Sequence, residues 1–438
     1  MTRFAFAFAT LAISAFGSVA ESQHQPPIRP LGPVEATASE KFGANLTVRH
    51  VRQGVLVNDV QHRRVVFLDG ALRLTHVVAD STPATATAYS GRTGGLIPYH
   101  GDSSLFVDPA SMSMLLIEPE GKVARVMSVP RSQDAMMLGS AMAGAPGFDG
   151  AGRLVYRGAP RFEMRRMATP AGGAAATAFE PPQIPDSTPV VRVDLVSRAV
   201  DTLGYVRIPR VKMEMSRDDN GRVTMSATMN PLPTTDDWAV LSDGSVALIR
   251  GQDYHIDWIR PDGTRESSPK IPFDWRRLSD EDKAAFIDSV KAARERMEPT
   301  APVAAPVDSG TRQQRRARPD AGGGDGPVRI MIGPGGGAGP GGGNRMNFVT
   351  PDELPDYQPV FFANSVRADA DGNLWVRTIP TKAREGGAVY DVINSKGELV
   401  DRVQVPANRT IVGFGQGGVV YLTTNEGGAT TLERATVK

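Results

Sequence analysis

A chain of 438 residues with no cysteine has neither disulfide staples nor thiolate chemistry, so its stability must come from buried apolar surface. Its 49 Lys and Arg balance 48 Asp and Glu, which excludes a chain drawn as a whole to nucleic acid or anionic membrane. Hydrophobic residues make up 40%, enough for a large core, and the six His form no HExxH motif.

The chain opens on Arg3, an apolar run Phe4–Gly17 and Ser18-Val19-Ala20. A basic start, a short apolar stretch and a small-x-small site predict a signal peptide over residues 1–20, and hence a periplasmic or secreted protein. No later apolar run approaches the ~18 residues of a membrane span. Residues 21–32 read as a flexible lead-in.

From there a turn followed by an apolar strand ending in a polar residue recurs. The copies are Val55–Asp59, Leu105–Asp108, Leu154–Arg157, Ala247–Arg250, Leu374–Arg377 and Val420–Thr423. Asp59 to Asp108 and Asp108 to Arg157 each span 49 positions, and Arg377 to Thr423 spans 46. Further strands follow each copy, as in Arg64–Leu68, Met114–Ile117 and Val389–Val392. A period of about 47 residues with four short strands per unit predicts propeller blades rather than strands alternating with helices.

Two longer gaps interrupt the series. Between Arg157 and Arg250, residues 211–229 carry a hairpin signal around Asp219-Asn220-Gly221, and 169–189 are rich in Ala and Pro. The competing account is a seventh blade in this gap. Between Arg250 and Arg377, Ser279 with three early acids predicts a helix near 279–298, with Phe286, Val290, Ala293 and Met297 at helical spacing. Residues 299–347 then hold the basic run Arg312–Arg318 and the glycine tract Gly322–Gly343. Such composition predicts disorder, and its glycines do not sit between a strand and a helix as a phosphate loop requires. The fold expected over 33–438 is all-β: a six-bladed propeller of four-stranded blades with one inserted hairpin, one inserted helix and a disordered loop. Residues 33–37 would supply the outer strand of the last blade.

Asp371-Gly372-Asn373-Leu374-Trp375-Val376, with Asp243-Gly244 and Asp149-Gly150 in related phrases, resembles the repeats of six-bladed β-propellers of the NHL and SMP-30-like kind. That resemblance implies a propeller without fixing an activity, since the superfamily holds metal-dependent lactonases, lyases and non-enzymatic binding scaffolds.

If the recurring strands line the channel, Asp59, Asp108, Arg157, Arg250, Arg377 and Thr423 converge at one mouth. Two carboxylates would offset two guanidiniums, and one positive charge would remain, favouring an anion over a bare divalent cation. The bland alternative is a set of charges that pair between blades and hold register. The expected function is therefore binding, of a small anionic ligand or a protein partner, by a monomer with no cofactor and no affinity for nucleic acid. The alternative is a metal-dependent lactonase, hydrolase or lyase, with a channel calcium ion for which Asn58, Asp59, Asp108 or Glu35 are candidates. His255 and Asp257 share one strand face and read as a surface pair. Met213, Met215, Met225 and Met229 read as packing residues of the hairpin rather than copper(I) ligands.

Overall fold

The computed structural model of the chain describes residues 25–82, 88–160, 184–217, 223–297, 345–382, 384–426 and 428–437. The predicted signal peptide and residues 299–344 of the glycine-rich insert lie outside the described residues.

Strands dominate, and six sheets each take four strands in meander order. Sheet 1 comprises Leu46–Val51, Gly54–Asp59, Arg64–Leu68 and Leu74–Ala79; sheet 2, Gly95–Pro98, Ser104–Asp108, Ser113–Ile117 and Val123–Ser128. Sheet 3 takes Gly147–Phe148, Leu154–Arg157, Ser187–Val193 and Val200–Arg207; sheet 4, Asp237–Val240, Val246–Arg250, His255–Ile259 and Arg265–Ser267. Sheet 5 takes Val366–Ala368, Leu374–Thr378, Val389–Ile393 and Leu399–Gln404, with Ile28–Pro30 added parallel at its outer edge. Sheet 6 takes Arg409–Phe414, Val419–Glu426 and Ala429–Thr436, and Val34–Thr37 completes it as the outer strand. A succession of four-stranded antiparallel sheets with very little helix is the architecture of a β-propeller.

The second strand of each sheet is apolar on both faces because the sheet is covered on both. In sheet 1, Val55 and Val57 pack towards sheet 6 while Leu56 packs towards sheet 2. In sheet 4, Leu248 joins a core shared with sheets 2 and 3, and Ala247 and Ile249 join one shared with sheet 5. Trp375 of sheet 5 meets sheet 6, while its neighbours Leu374 and Val376 meet sheet 4. Period-two alternation thus sends successive side chains into different cores. The fourth strands fall away to solvent: Arg265–Ser267 is exposed throughout.

The connections are sorted by end. First-to-second and third-to-fourth strand links are short turns, such as 52–53, 69–73, 149–153 and 369–373. Every long link, 80–94, 129–146, 158–186, 208–236 and 268–365, lies at the opposite end. There the hairpin Val211–Arg217 and Val223–Met229 pairs with Arg345–Phe348 in a separate three-stranded sheet. The same end carries helix α1 (Ala135–Gly139) and helix α2 (Asp280–Met297).

Ser279 caps α2 reciprocally with Asp282: Asp282 N–H donates to Ser279 Oγ, and Ser279 N–H donates to Asp282 Oδ2, both at 3.1 Å. The buried face differs from the expected one by a residue. Ile287, 3% exposed, leads it, packing with Leu232, Val349 and Leu354, while Phe286 lies alongside. Lys283 buries its stem and reaches Asp356 at 2.8 Å.

Candidate functional site

The six residues singled out from the repeat all sit at the elaborated end, where the second strands finish, but they do not line the channel. The first strands of successive sheets run side by side, so the second strands stand one position back. A cavity of about 70 Å³ between the first strands is lined by Leu46 and Thr47, by Gly94–Ile97, by Gly144–Pro146 and by Asn364, Val366 and Arg367. None of the six belongs to it. Among the described residues, no hydrogen bond or ion pair joins any two of them.

Most have local work instead. Asp59 is fully buried and accepts from Gly43 N–H and His62 N–H, pairs with Arg64 at 3.2 Å and meets His62 Nδ1 at 2.7 Å. Asp108, also fully buried, accepts from Ser90 and Ala110 N–H and from Ser111 Oγ. Arg250 is clamped by Asp236 at 2.9 Å and Asp257 at 2.7 Å and donates to Tyr205 O. Thr423 Oγ1 reaches Thr410 O across its own sheet. Asn58 and Glu35 are likewise engaged: Asn58 Nδ2 donates to Gly94 O and its Oδ1 accepts from Tyr89 Oη, and Glu35 lies 3.7 Å from Arg434. Among the described residues no group of three or more His, Asp or Glu is placed to hold a metal ion.

Arg157 and Arg377 are different. Arg157 donates to Met142 O at 2.8 Å. Burial pulls its guanidinium below the usual range, and the charge of Asp237 opposes that fall. Asp237 opens the first strand of sheet 4, is 2% exposed, and accepts from Trp238 N–H at 2.9 Å and Val366 N–H at 3.0 Å. Burial pushes its carboxyl up to about 6. Val366 is the neighbour of Arg367, so Asp237 is anchored beside the cavity wall, within reach of the charge of Arg157.

Arg377 is exposed and, like Arg367, has no side-chain hydrogen bond or ion pair among the described residues. In register Arg367 lies opposite Trp375, and Arg377 opposite Tyr390. Both guanidiniums therefore project from one face of sheet 5. Both also act on the Tyr390 hydroxyl, whose pKa burial raises and the two charges lower. Asn364, held at φ 63°, lines the same cavity with its Oδ1 enclosed and unpartnered. The cavity wall thus carries the Arg367 guanidinium and the enclosed Asn364 acceptor, and Arg377 lies on the same sheet face as Arg367. Asn364, just before the first strand, and Arg367, within it, follow the long insert and carry no repeat signal, which is why spacing alone does not find them.

The pair His255 and Asp257 sits on sheet 4, with His255 Nδ1 2.6 Å from Asp253 and Nε2 3.3 Å from Asp257. Met213 and Met229 are half-buried in the inserted hairpin.

No family model matches the chain, and no curated protein sequence matches it. Solved structures are similar to it at low identity. One is a gluconolactonase from Xanthomonas campestris: 10% identity, 93% of this chain and 99% of that one, TM-score 0.37. A regucalcin, a calcium-binding protein from Agrobacterium tumefaciens, gives 11%, 94%, 97% and 0.36. A member of the DUF4221 family from Bacteroides vulgatus gives 9%, 95%, 98% and 0.41. These are SMP-30 and gluconolactonase-like propeller proteins and their like. The propeller architecture of this chain rests on its own sheets.

Proposed function

We propose that this chain is an exported six-bladed β-propeller that binds a small anion at the elaborated end of its channel. Six blades are favoured because each of the six sheets shares a buried core with the next, and sheet 6 with sheet 1 through Tyr421, Leu432 and Val55. The hairpin at 211–229 pairs outside this series, so it reads as an insert rather than a seventh blade.

The observation that carries the ligand reading is Arg367 at the cavity wall with Arg377 on the same sheet face, neither with a side-chain hydrogen bond or ion pair among the described residues. A guanidinium fork offers two parallel donors to a carboxylate or phosphate. The planar fork selects an oxyanion, a carboxylate or a phosphate, over a simple halide. About 70 Å³ accommodates the charged head of such a molecule and leaves its remainder at the mouth. Arg377 widens the positive field there, and Arg157 adds to it behind Asp237.

Calorimetric titration with gluconate, citrate and phosphate tests this. Binding by the wild-type chain should weaken about tenfold in Arg367→Ala and in Arg377→Ala. Arg250→Ala, whose partners are Asp236 and Asp257, should bind normally. Binding that survives in the Arg367/Arg377 double variant, or no binding of any of the three anions, removes the proposal.

A further inference from the structure

Five tyrosines are buried among the described residues: Tyr89, Tyr156, Tyr254, Tyr390 and Tyr421. A buried phenol hydroxyl ordinarily finds a partner, because an unmet one forfeits the hydrogen bond that water supplies to the unfolded chain. Four of the five follow this rule. Tyr89 Oη donates to Asn58 Oδ1 at 3.1 Å, Tyr156 Oη to Asp134 at 2.9 Å and Tyr254 Oη to Asp391 at 3.0 Å, and Tyr421 Oη lies 2.7 Å from His50 Nδ1. Tyr390 is the exception: 5% exposed, it has no side-chain hydrogen bond among the described residues.

The ring is held by the core between two sheets. It packs among Trp375, Val392 and Val403 of sheet 5 and Ile411 and Leu422 of sheet 6, with its centroid 5.9 Å from that of Trp375. Close packing of the ring fixes the direction of the hydroxyl. That oxygen is not one of the enclosed unpartnered atoms, so the sliver of surface that the residue keeps includes the hydroxyl. Register decides what stands around it. Tyr390 lies directly opposite Arg377, and Arg367 lies opposite Trp375, one diagonal step from Arg377. Diagonal neighbours stand about 7–8 Å apart, within reach of side chains as long as arginine. The charges of both guanidiniums reach the Tyr390 hydroxyl, and neither guanidinium has a hydrogen bond or ion pair among the described residues.

We infer that Arg367, Arg377 and Tyr390 together select a phosphate monoester over a carboxylate, with the Tyr390 hydroxyl as the third donor. This rests on the anion reading of the same site and decides between the two oxyanions that reading admits. A carboxylate presents two oxygens in one plane and a single charge, which one guanidinium fork satisfies. It leaves a second fork and a hydroxyl idle. A phosphate monoester presents three terminal oxygens in tetrahedral directions and carries about −1.5 to −2 charge at pH 7. Two forks and a phenol donor supply one group for each oxygen, and two guanidinium charges balance the dianion. The O–H of Tyr390 adds direction to that charge, since a hydroxyl donates along one axis.

Calorimetric titration with glucose 6-phosphate and with glucuronate tests this, since both carry their charge at position 6 of the same pyranose. The wild-type chain should bind the phosphate at least about tenfold more tightly. Tyr390→Phe should weaken glucose 6-phosphate about tenfold and leave glucuronate within about twofold, which erases the preference. The unfolding midpoint of that variant should not move, because the lost hydroxyl has no partner and the ring still fills its place in the core. Equal affinity for the two sugars in the wild type, or undiminished phosphate binding by Tyr390→Phe, overturns the inference. In either case Arg367→Ala separates the two readings: if it still weakens both ligands about tenfold, the anion site stands without the phosphate preference. Failure of both sugars to bind the wild-type chain removes the site and the inference with it.

Discussion

Two buried carboxyls dominate the chemistry of single residues. Burial pushes Asp237 and Asp391 up to about 6, above the ordinary Asp range near 3.8. Asp391 is held between sheets by Tyr254 Oη at 3.0 Å and Arg402 at 3.2 Å, whereas Asp237 meets mainly backbone N–H groups. Because their folded pKa lies above the unfolded one, each keeps its proton in the folded chain where the unfolded chain has released it. Their contribution is therefore favourable at about pH 4 and is lost as pH rises through about 6. In Asp237→Asn, stability relative to wild type should climb by up to about 3 kcal/mol between pH 4 and 7.5. Chemical denaturation across that range measures it, and a flat difference would refute the raised pKa. The same proton bears on the proposed anion site. Sulfate, whose charge is constant over this range, should bind more tightly as pH falls through 6 and Asp237 loses its charge beside Arg157. Arg250 makes the contrast: with two carboxylates and a carbonyl on it, Arg250→Ala should cost about 2 kcal/mol of stability, read by denaturant midpoint, and leave anion binding intact.

Among elements, the short turns opposite the site are built alike. Asp69 Oδ1 accepts from N–H groups two and four residues on, those of Ala71 and Arg73; Asp149, Asp369 and Asn394 repeat the pattern. The acceptor side chain replaces backbone bonds that a tight reversal cannot make. Asp369 also takes Asn373 Nδ2 and Trp375 Nε1, each at 3.0 Å, where Asp69 and Asp149 take the guanidiniums of Arg73 and Arg153. Asp369→Ala should cost about 2–3 kcal/mol and lower the unfolding midpoint more than Asp69→Ala does. Equal thermal losses in the two variants would show that the tryptophan bond adds nothing. At Gly244 the reversal also needs φ +85°, and a Cβ there would sit 2.2 Å from Gly150 N, so the glycine is required by both backbone and neighbour. These Asp-Gly phrases were readable because turn chemistry is local.

For the whole molecule, the N-terminal segment acts as a strap. Ile28–Pro30 edges sheet 5 and Val34–Thr37 edges sheet 6, with Leu31 buried between them and Arg29 paired with Asp401. Removing residues through Thr37 strips an outer strand from each of two adjacent sheets and bares their edges. Such a truncation should lower the unfolding midpoint by several degrees and promote association, checked by scanning calorimetry and light scattering. An unchanged midpoint would mean that the sheets close without the strap.

Period-two apolar runs and local turn residues suffice to place most strands of sheets 1, 2, 5 and 6, α2, and the returning strand near residues 33–37, because these depend on neighbours in the chain. The phase of the ring does not. The second strands read most clearly because they are apolar on both faces. The first strands, mixed in character because one side meets the channel, are nearly silent. Only the folded arrangement decides which strand is innermost. It moves Asp59, Asp108, Arg250 and Thr423 into local structural duty and brings Asn364, Arg367 and Asp237 together from distant positions. The sequence by itself determined a repeat of short apolar strands joined by Asp-Gly and similar turns. The tertiary structure decided which polar groups were left without partners, since satisfaction of a buried group depends on neighbours that no local spacing records.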